Sequence, residues 1–142
     1  MTQSRELAED LRKAVGRLVR STKQGVDSMP AAESAVLGLL DRDGPRNIAE
    51  LAQARGVRHQ SAAKTVKDLT AVGLVSTEAH PTDGRKLLVH ITVHGRAVLE
   101  EDRSSRADVL GNAIEAELTV QEREELRRGI ELLNRLSARI RP

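Results

Sequence analysis

Residues 83–92 read Asp83-Gly84-Arg85-Lys86-Leu87-Leu88-Val89-His90-Ile91-Thr92, and residues 56–64 read Gly56-Val57-Arg58-His59-Gln60-Ser61-Ala62-Ala63-Lys64. The earlier stretch places a turn glycine before a helix with cations, and the later one places a turn before a strand. A cationic helix suits the major groove of duplex DNA, and an Arg-tipped hairpin suits the minor groove. Residues 48–92 are therefore predicted to form a helix, a tight turn, a second helix and a two-stranded wing.

Two helices are predicted ahead of this region. Apolar residues recur at three- and four-residue spacing over residues 4–24, with charged residues between them, which is typical of an amphipathic helix. Ser28-Met29-Pro30 interrupts the pattern, and Pro30 suits the first turn of a helix that reaches about Leu40. We expect Ala32, Val36, Leu39 and Leu40 to point inward.

A capping box marks the start of the helix-turn-helix. Asn47 is the predicted N-cap, and Glu50 is expected to reach back to it. This helix ends near Gly56, whose permissive backbone suits a short turn. The following helix, residues 58–72, is predicted to bury Ala62, Val66 and Leu69. At 100° per residue the opposite face carries Gln60, Ala63, Lys64 and Lys67.

Strands and further helices follow. The strand candidates are residues 74–78 and 86–91, joined by a loop in which Pro81 and Asp83-Gly84 are turn residues. A long helix is predicted over residues 93–117, although Gly111 weakens it. Thr119 and Glu122 form a second capping box that opens the last helix.

Composition excludes several classes of function. The chain has no aromatic residue among 142, which argues against single-stranded nucleic acid as a ligand because such proteins stack bases on aromatic rings. It has no cysteine, so disulfides, thiolate zinc sites and thiol redox sensing are excluded. No apolar run approaches the length of a membrane span, and the first residues resemble no signal segment. We expect a soluble cytoplasmic protein.

Charge is concentrated in the predicted helix-turn-helix and wing. The net charge of the chain is only +2, but residues 46–92 hold seven Lys or Arg against four Asp or Glu. Residues 55–67 hold four cations and no acid. Such a cluster alone is as compatible with a solvated face as with a nucleic-acid patch, and the surrounding motif favours the patch.

The terminal helices each carry an apolar stripe that the middle segment does not need. Each helix could pack on its own domain, as single amphipathic helices usually do. The middle segment has its own predicted core, however, so pairing with a second copy is the alternative that covers both stripes. The predicted dimerisation residues are Leu7, Leu11, Val15, Leu18, Leu126, Ile130, Leu133, Leu136 and Ile140.

The order and spacing of these features resemble the MarR family of winged-helix transcriptional regulators over essentially the whole chain. The residues that carry the resemblance are 7–12, 35–40, 48–52, Gly56-Val57, Leu69, Gly73-Leu74-Val75, Asp83-x-Arg85, Ile91-Thr92, Gly95-Arg96 and Leu118-Thr119-x-x-Glu122-Arg123-x-x-Leu126. A helix-turn-helix alone is a weak signal, whereas the Asp-x-Arg wing together with two flanking helices is much more specific.

The resemblance implies a mostly α-helical fold with a small β wing. It implies one domain over residues 1–142, with dimerisation helices at 1–26 and 93–142 around a winged helix-turn-helix DNA-binding lobe at 30–92. It further implies a homodimer that binds a pseudo-palindromic operator in double-stranded DNA, acts as a repressor and is not an enzyme. No cofactor is expected. Family members often respond to small molecules, so an effector of unknown identity is a further expected partner.

The resemblance also assigns roles to individual residues. Arg85 would enter the minor groove, with Asp83 orienting the wing. The full set of expected DNA-binding residues is Arg58, His59, Gln60, Ser61, Ala63, Lys64, Lys67, Asp83, Arg85 and Lys86. Chemically, Gln60 suits adenine, Lys64 suits guanine and Ala63 offers only apolar contact. Lys67 is alternatively a phosphate contact or a solvated lysine, and Ser61 is alternatively a helix cap. Arg58 stands where many family members have a capping residue, and it could add a phosphate contact instead.

Two other classes of function remain open. An enzyme would need converging catalytic or metal-binding residues. His90 and His94 are four residues apart, but a strand-to-helix junction between them spoils a shared face for a metal. A winged helix used only for protein contacts is the second alternative, and cations at both Arg85 and Lys64 argue against it.

Overall fold

A computed structural model of the chain describes residues 2–25 and 29–141. Ser28, where the predicted break between the first two helices begins, lies outside the described residues, as do Met1, Val26 and Pro142 at the limits of the predicted dimerisation segments. The described elements are α1 (Gln3–Gln24), α2 (Ala31–Asp43), β1 (Arg46–Asn47), α3 (Ile48–Arg55), α4 (His59–Ala71), β2 (Val75–Ala79), β3 (Leu87–Ile91), α5 (Val93–Glu117) and α6 (Val120–Ile140). The mostly helical fold with a small β wing is confirmed.

The chain divides into two compact units. The central unit is Asp27–Ser105, and the terminal unit combines Met1–Val26 with Arg106–Pro142. The predicted division between DNA-binding lobe and dimerisation helix falls at residue 93, whereas the two compact units divide within α5. The reason is that Leu99, in the first half of α5, is buried in the hydrophobic core of the central unit.

The core of the central unit is built from aliphatic side chains of every element except β1. Its members are Val36, Leu37 and Leu40 of α2, Leu51 of α3, Val66 and Leu69 of α4, Leu74, Val75 and Val89 at the wing, and Leu99 of α5. The predicted inward positions Val36 and Leu40 are buried, while Ala32 and Leu39 are half-buried. Leu37 is fully buried although it lies outside the predicted stripe, because α2 has core on more than one side.

The wing strands pair antiparallel, and the sheet has a third strand. Val75 pairs with Ile91, and Ala79 pairs with Leu87. On the other edge of β3, β1 places Arg46 opposite Val89, so the strand order is β1-β3-β2. The sequence predicts only two strands. A two-residue strand is too short to show an alternating pattern, and its pairing with β3 is not a local property.

The terminal unit contains long helices with little buried side-chain surface. Neither α1 nor α6 contains a buried residue. The second capping box is confirmed: Glu122 N–H donates to Thr119 Oγ1 at 3.2 Å, and Thr119 N–H donates to Glu122 Oε1 at 3.0 Å. In the part of the chain that the structure describes, no helix is long and apolar enough to cross a membrane.

Candidate nucleic-acid interface

Local hydrogen bonds fix the start of α3 and the turn from α3 into α4. Glu50 N–H donates to Asn47 Oδ1 at 2.8 Å, and Asn47 N–H donates to Glu50 Oε1 at 3.1 Å, which confirms the predicted capping box. Gly56 ends α3 in the left-handed conformation, with φ of 64°, which favours glycine. Val57 N–H then donates to the Ala52 carbonyl oxygen at 3.0 Å, so the chain turns within three residues and starts α4.

One face of α4 is buried and the other is exposed. The predicted stripe of Ala62, Val66 and Leu69 is buried, together with Thr65. Sequence reasoning missed Thr65 because a hydroxyl is usually solvated. Its Oγ1 donates to the Ser61 carbonyl oxygen at 3.0 Å, which satisfies the buried hydroxyl within the helix.

The exposed face of α4 carries polar and cationic side chains. Arg58, His59, Gln60, Ser61, Lys64 and Lys67 are all exposed, whereas Ala63 is half-buried. The backbone of Arg58 is extended and occupies the N-cap position, but its side chain caps nothing. The first backbone N–H groups of α4 therefore donate no hydrogen bond to the N-cap side chain. They point out of the N-terminal end of the helix.

Lys64 is not an isolated cation. Its Nζ lies 2.8 Å from Asp68 Oδ2, one helical turn further along α4. The hydrogen bond and charge of Asp68 raise the pKa of Lys64 above its ordinary value. Sequence reasoning did not identify this pair, although the spacing of four residues is the signal for it. A nucleic-acid partner of Lys64 must compete with Asp68.

The loop of the wing is ordered around Asp83. Asp83 Oδ1 accepts hydrogen bonds from Arg85 N–H at 3.1 Å and from Arg85 Nε at 3.2 Å. The side-chain and backbone hydrogen bonds from Arg85 hold the pKa of Asp83 below its ordinary value. The Arg85 side chain is 92% exposed and that of Asp83 only 29%. The wing thus presents a cation outward on an anchored carboxylate.

His80 is a loop-ordering residue that sequence reasoning did not identify. Its Nδ1 accepts hydrogen bonds from Thr82 N–H at 3.2 Å and Asp83 N–H at 3.3 Å. His80 N–H in turn donates to the Lys86 carbonyl oxygen at 3.0 Å and closes the loop. A histidine two or three residues ahead of turn amides is the available signal, but it is weak without coordinates.

A cleft brings together residues of α4 and of the wing. His59 at the start of α4 and Arg85 and Lys86 of the wing line a common cleft of about 310 Å³. Asn47 and Ile48, where α3 begins, also line the cleft. Three groups that can donate to an anion therefore surround one opening in the central unit.

The base of the wing is fixed by a close backbone contact. Thr92 Oγ1 donates to the Gly73 carbonyl oxygen at 2.7 Å and accepts from Gly95 N–H at 3.0 Å. A Cβ at Gly95 would collide with the Leu74 carbonyl oxygen. Gly73-Leu74, Thr92 and Gly95 are among the residues that carry the family resemblance. These contacts give a physical reason for them, because they tie the wing to the start of α5.

His90 and His94 do not lie on one element, since the first is on β3 and the second on α5. His90 Nε2 instead lies 2.7 Å from Glu78 Oε1 on the neighbouring strand. Among the described residues, no group of three or more His, Cys, Asp or Glu side chains could hold a metal ion.

Comparison with known proteins agrees with this geometry. The sequence profile described as the MarR family matches residues 27–86. A helix-turn-helix-type transcriptional regulator of Mycobacterium bovis, itself uncharacterised, is 32% identical over 129 residues, which cover 89% of this chain and 90% of the relative.

Solved structures resemble the whole chain. A protein of Pseudomonas aeruginosa assigned as a transcriptional regulator is 30% identical and superposes with a TM-score of 0.84 over 97% of each chain. The Bordetella bronchiseptica protein BpsR, whose DNA binding is regulated by 6-hydroxynicotinic acid, is 25% identical with a TM-score of 0.63 over 93% of this chain and 98% of its own. The chain belongs to the MarR family of DNA-binding transcriptional regulators.

Proposed function

We propose that the protein binds a pseudo-palindromic operator as a homodimer, with α4 in the major groove and the wing in the minor groove. The observation that carries the proposal is that the Arg85 side chain is 92% exposed while its Nε is hydrogen-bonded to Oδ1 of Asp83. A cation held in one orientation has less conformational entropy to lose on entering a narrow groove.

Within this proposal the exposed face of α4 reads bases. Gln60 is suited to a bidentate contact with adenine and Lys64 to guanine. Arg58, Lys67 and Lys86 are assigned to phosphates, because each is exposed and cationic and no base-reading geometry is needed for that role. His59 and Ser61 lie in the first turn of α4, and His59 also lines the cleft, so we assign both residues to phosphate oxygens.

Homodimer formation is supported by the uncovered apolar stripes of the terminal unit. Leu7 is 69% exposed, Leu18 51%, Ile130 47% and Ile140 78%. Each side chain of this size stabilises a contact by about 1.5–3 kcal/mol when it is fully buried. A symmetric pairing with a second copy would cover both helices with the same patch on each subunit.

We further propose that the protein is a cytoplasmic repressor whose DNA affinity is altered by a small molecule. Support comes from BpsR, whose DNA binding is regulated by 6-hydroxynicotinic acid. An effector of this chain would act by binding more tightly to one arrangement of the two DNA-binding lobes than to the other. The absence of aromatic residues means that such a site would combine aliphatic walls with Arg or His side chains.

The experiment that tests this proposal is capture of genomic fragments by the purified full-length protein, followed by footprinting. The expected result is a site with two inverted half-sites about 10–10.5 base pairs apart, centre to centre, or a multiple of that spacing. The log of affinity should fall linearly with the log of salt concentration. Binding of duplex that is weak and indifferent to salt would instead indicate a winged helix used for protein contacts.

A further inference from the structure

The second half of α1, outside the helix-turn-helix and the wing, carries a cationic face. Residues 11–25 contain five Lys or Arg and no Asp or Glu. These cations are Arg12, Lys13, Arg17, Arg20 and Lys23. Like charges three and four residues apart oppose helix formation, so this run works against the helix that bears it.

The cationic face lies opposite the apolar stripe of α1. At 100° per residue, the mean direction of the five cations is roughly 170° from that of Leu7, Leu11, Val15 and Leu18. If the apolar stripe packs against a second copy, the cationic face points away from that contact. It is then free to meet a different partner.

A shallow cleft interrupts the cationic face at Gly16. Arg12, Lys13, Arg17 and Arg20 line this cleft, which has a volume of about 250 Å³. A Cβ at Gly16 would lie 3.3 Å from Arg20 Nη1, so the missing side chain lets the guanidinium approach the helix backbone. Four cationic side chains therefore lie side by side along the face of the helix.

Most of these five cations form no ion pair in the part of the chain that the structure describes. Arg12 Nη2 lies 3.5 Å from Glu9 Oε2. Lys13, Arg17 and Arg20 form no ion pair with any carboxylate in residues 2–25 and 29–141. The side chains of all three are exposed. Among the described residues, this face is therefore short of counter-charge.

We propose that this cationic face is a second DNA-binding surface, which contacts the phosphate backbone of duplex DNA without reading bases. From Lys13 to Lys23 the helix rises about 15 Å, and five or six phosphates of one strand span about 14–17 Å along the duplex axis. Duplex is favoured over single-stranded nucleic acid because no aromatic residue is available for base stacking. This surface is proposed to bind duplex independently of operator recognition by the central unit.

The test compares full-length variants on a long random-sequence duplex, so that operator recognition plays no part. Arg17→Ala/Arg20→Ala removes two cations from the face, and Arg17→Lys/Arg20→Lys preserves both charges. Arg135→Ala/Arg139→Ala is the matched control, since it removes two exposed arginines from α6. Affinity is measured by fluorescence anisotropy over a range of salt concentrations.

The double Ala variant on α1 should reduce the slope of log affinity against log salt by about 1.8 per protomer, because each phosphate that a cation neutralises adds about 0.9 to the slope. The Lys variant should restore the slope, and the α6 control should leave it unchanged. An unchanged slope in the Ala variant, or one that the Lys variant fails to restore, overturns the proposal. The proposal is also overturned if Arg17 and Arg20 are required for binding to phosphatidylserine vesicles but not for binding to duplex.

The two proposals fail separately in this design. Arg85→Ala on a captured operator tests the wing, whereas Arg17 and Arg20 are tested on duplex without an operator. If Arg17→Ala/Arg20→Ala leaves the salt slope on random duplex unchanged while Arg85→Ala weakens operator binding, only the second surface is rejected. The reverse result rejects only the wing.

Discussion

Asp83 and Arg85 are joined through a single carboxylate oxygen: Asp83 Oδ1 accepts from both the backbone N–H and the Nε of Arg85, at 3.1 and 3.2 Å. These two hydrogen bonds restrain an arginine that is otherwise surrounded by solvent. Arginine has several rotatable bonds, so its order at the wing tip depends on this acceptor.

Asp83→Ala should weaken operator binding several-fold, even though it removes a negative charge beside the DNA. Charge alone would predict tighter binding, so a weaker affinity isolates the contribution of Arg85 orientation. Glu78→Ala is the control, because it removes a carboxylate from the same wing and leaves Arg85 in place. Tighter binding by both variants in a gel-shift titration would show that Asp83 does not position Arg85 for DNA.

The interaction between Asp83 and Arg85 should persist at all pH values near neutrality. The pKa of Asp83 is lowered from its ordinary value of 3.8, so its stabilising effect is fully present above that value. This effect disappears as the pH falls through the lower, folded-state pKa. An NMR titration of the Asp83 carboxyl carbon should give a midpoint below 3.8, and a midpoint at or above 3.8 would contradict the hydrogen-bonded geometry.

Arg58→Ser should stabilise the protein and at the same time lower its affinity for DNA. The N-cap of α4 lacks a side-chain acceptor, and a serine there is expected to add about 1 kcal/mol to the free energy of unfolding. Because the substitution removes a guanidinium from a phosphate, the slope of log affinity against log salt should become shallower by about 0.9 per protomer. Thermal unfolding and gel-shift titration together check both halves, and unchanged DNA affinity would exclude Arg58 from the interface.

Gly95→Ala should be strongly destabilising, whereas Gly111→Ala in the same helix should not. A Cβ at Gly95 meets the Leu74 carbonyl oxygen, so backbone must move, at a cost of about 1–3 kcal/mol or more. Nothing lies within 4 Å of a Cβ at Gly111, where alanine should gain up to about 1 kcal/mol from helix propensity. Chemical denaturation of both variants measures the difference. Equal effects of the two substitutions would mean that the wing and α5 are not in close contact at Gly95.

A charge placed in an apolar stripe of the terminal unit should separate the proposed dimer. Leu18→Glu and Ile130→Glu are each expected to shift sedimentation equilibrium toward monomer, because an unpaired carboxylate is costly in an apolar interface. Val72→Glu is the control, since Val72 is 60% exposed but lies in the central unit. A dimer that survives both stripe substitutions would place the interface elsewhere, and operator affinity should fall only in the variants that dissociate.

Much of the fold was predictable from local sequence because its signals act over a few residues. The pairs Asn47 with Glu50 and Thr119 with Glu122 need only the helix start itself to form their reciprocal hydrogen bonds. Gly56 marks a left-handed turn for which a side chain is unfavourable. The buried stripe of α4 follows from helical periodicity, with Thr65 as the exception.

Other features depend on residues far apart in the chain, and only the tertiary structure decides them. Arg46 forms a strand because Val89 lies beside it, 43 positions later in the numbering. Leu99 joins the central core because α5 continues past the wing, so the compact units divide inside a helix that the sequence pattern treats as one piece. Hydrogen-bond capping and periodicity are encoded within one or two helical turns, whereas strand pairing and core membership depend on how separate segments meet in space.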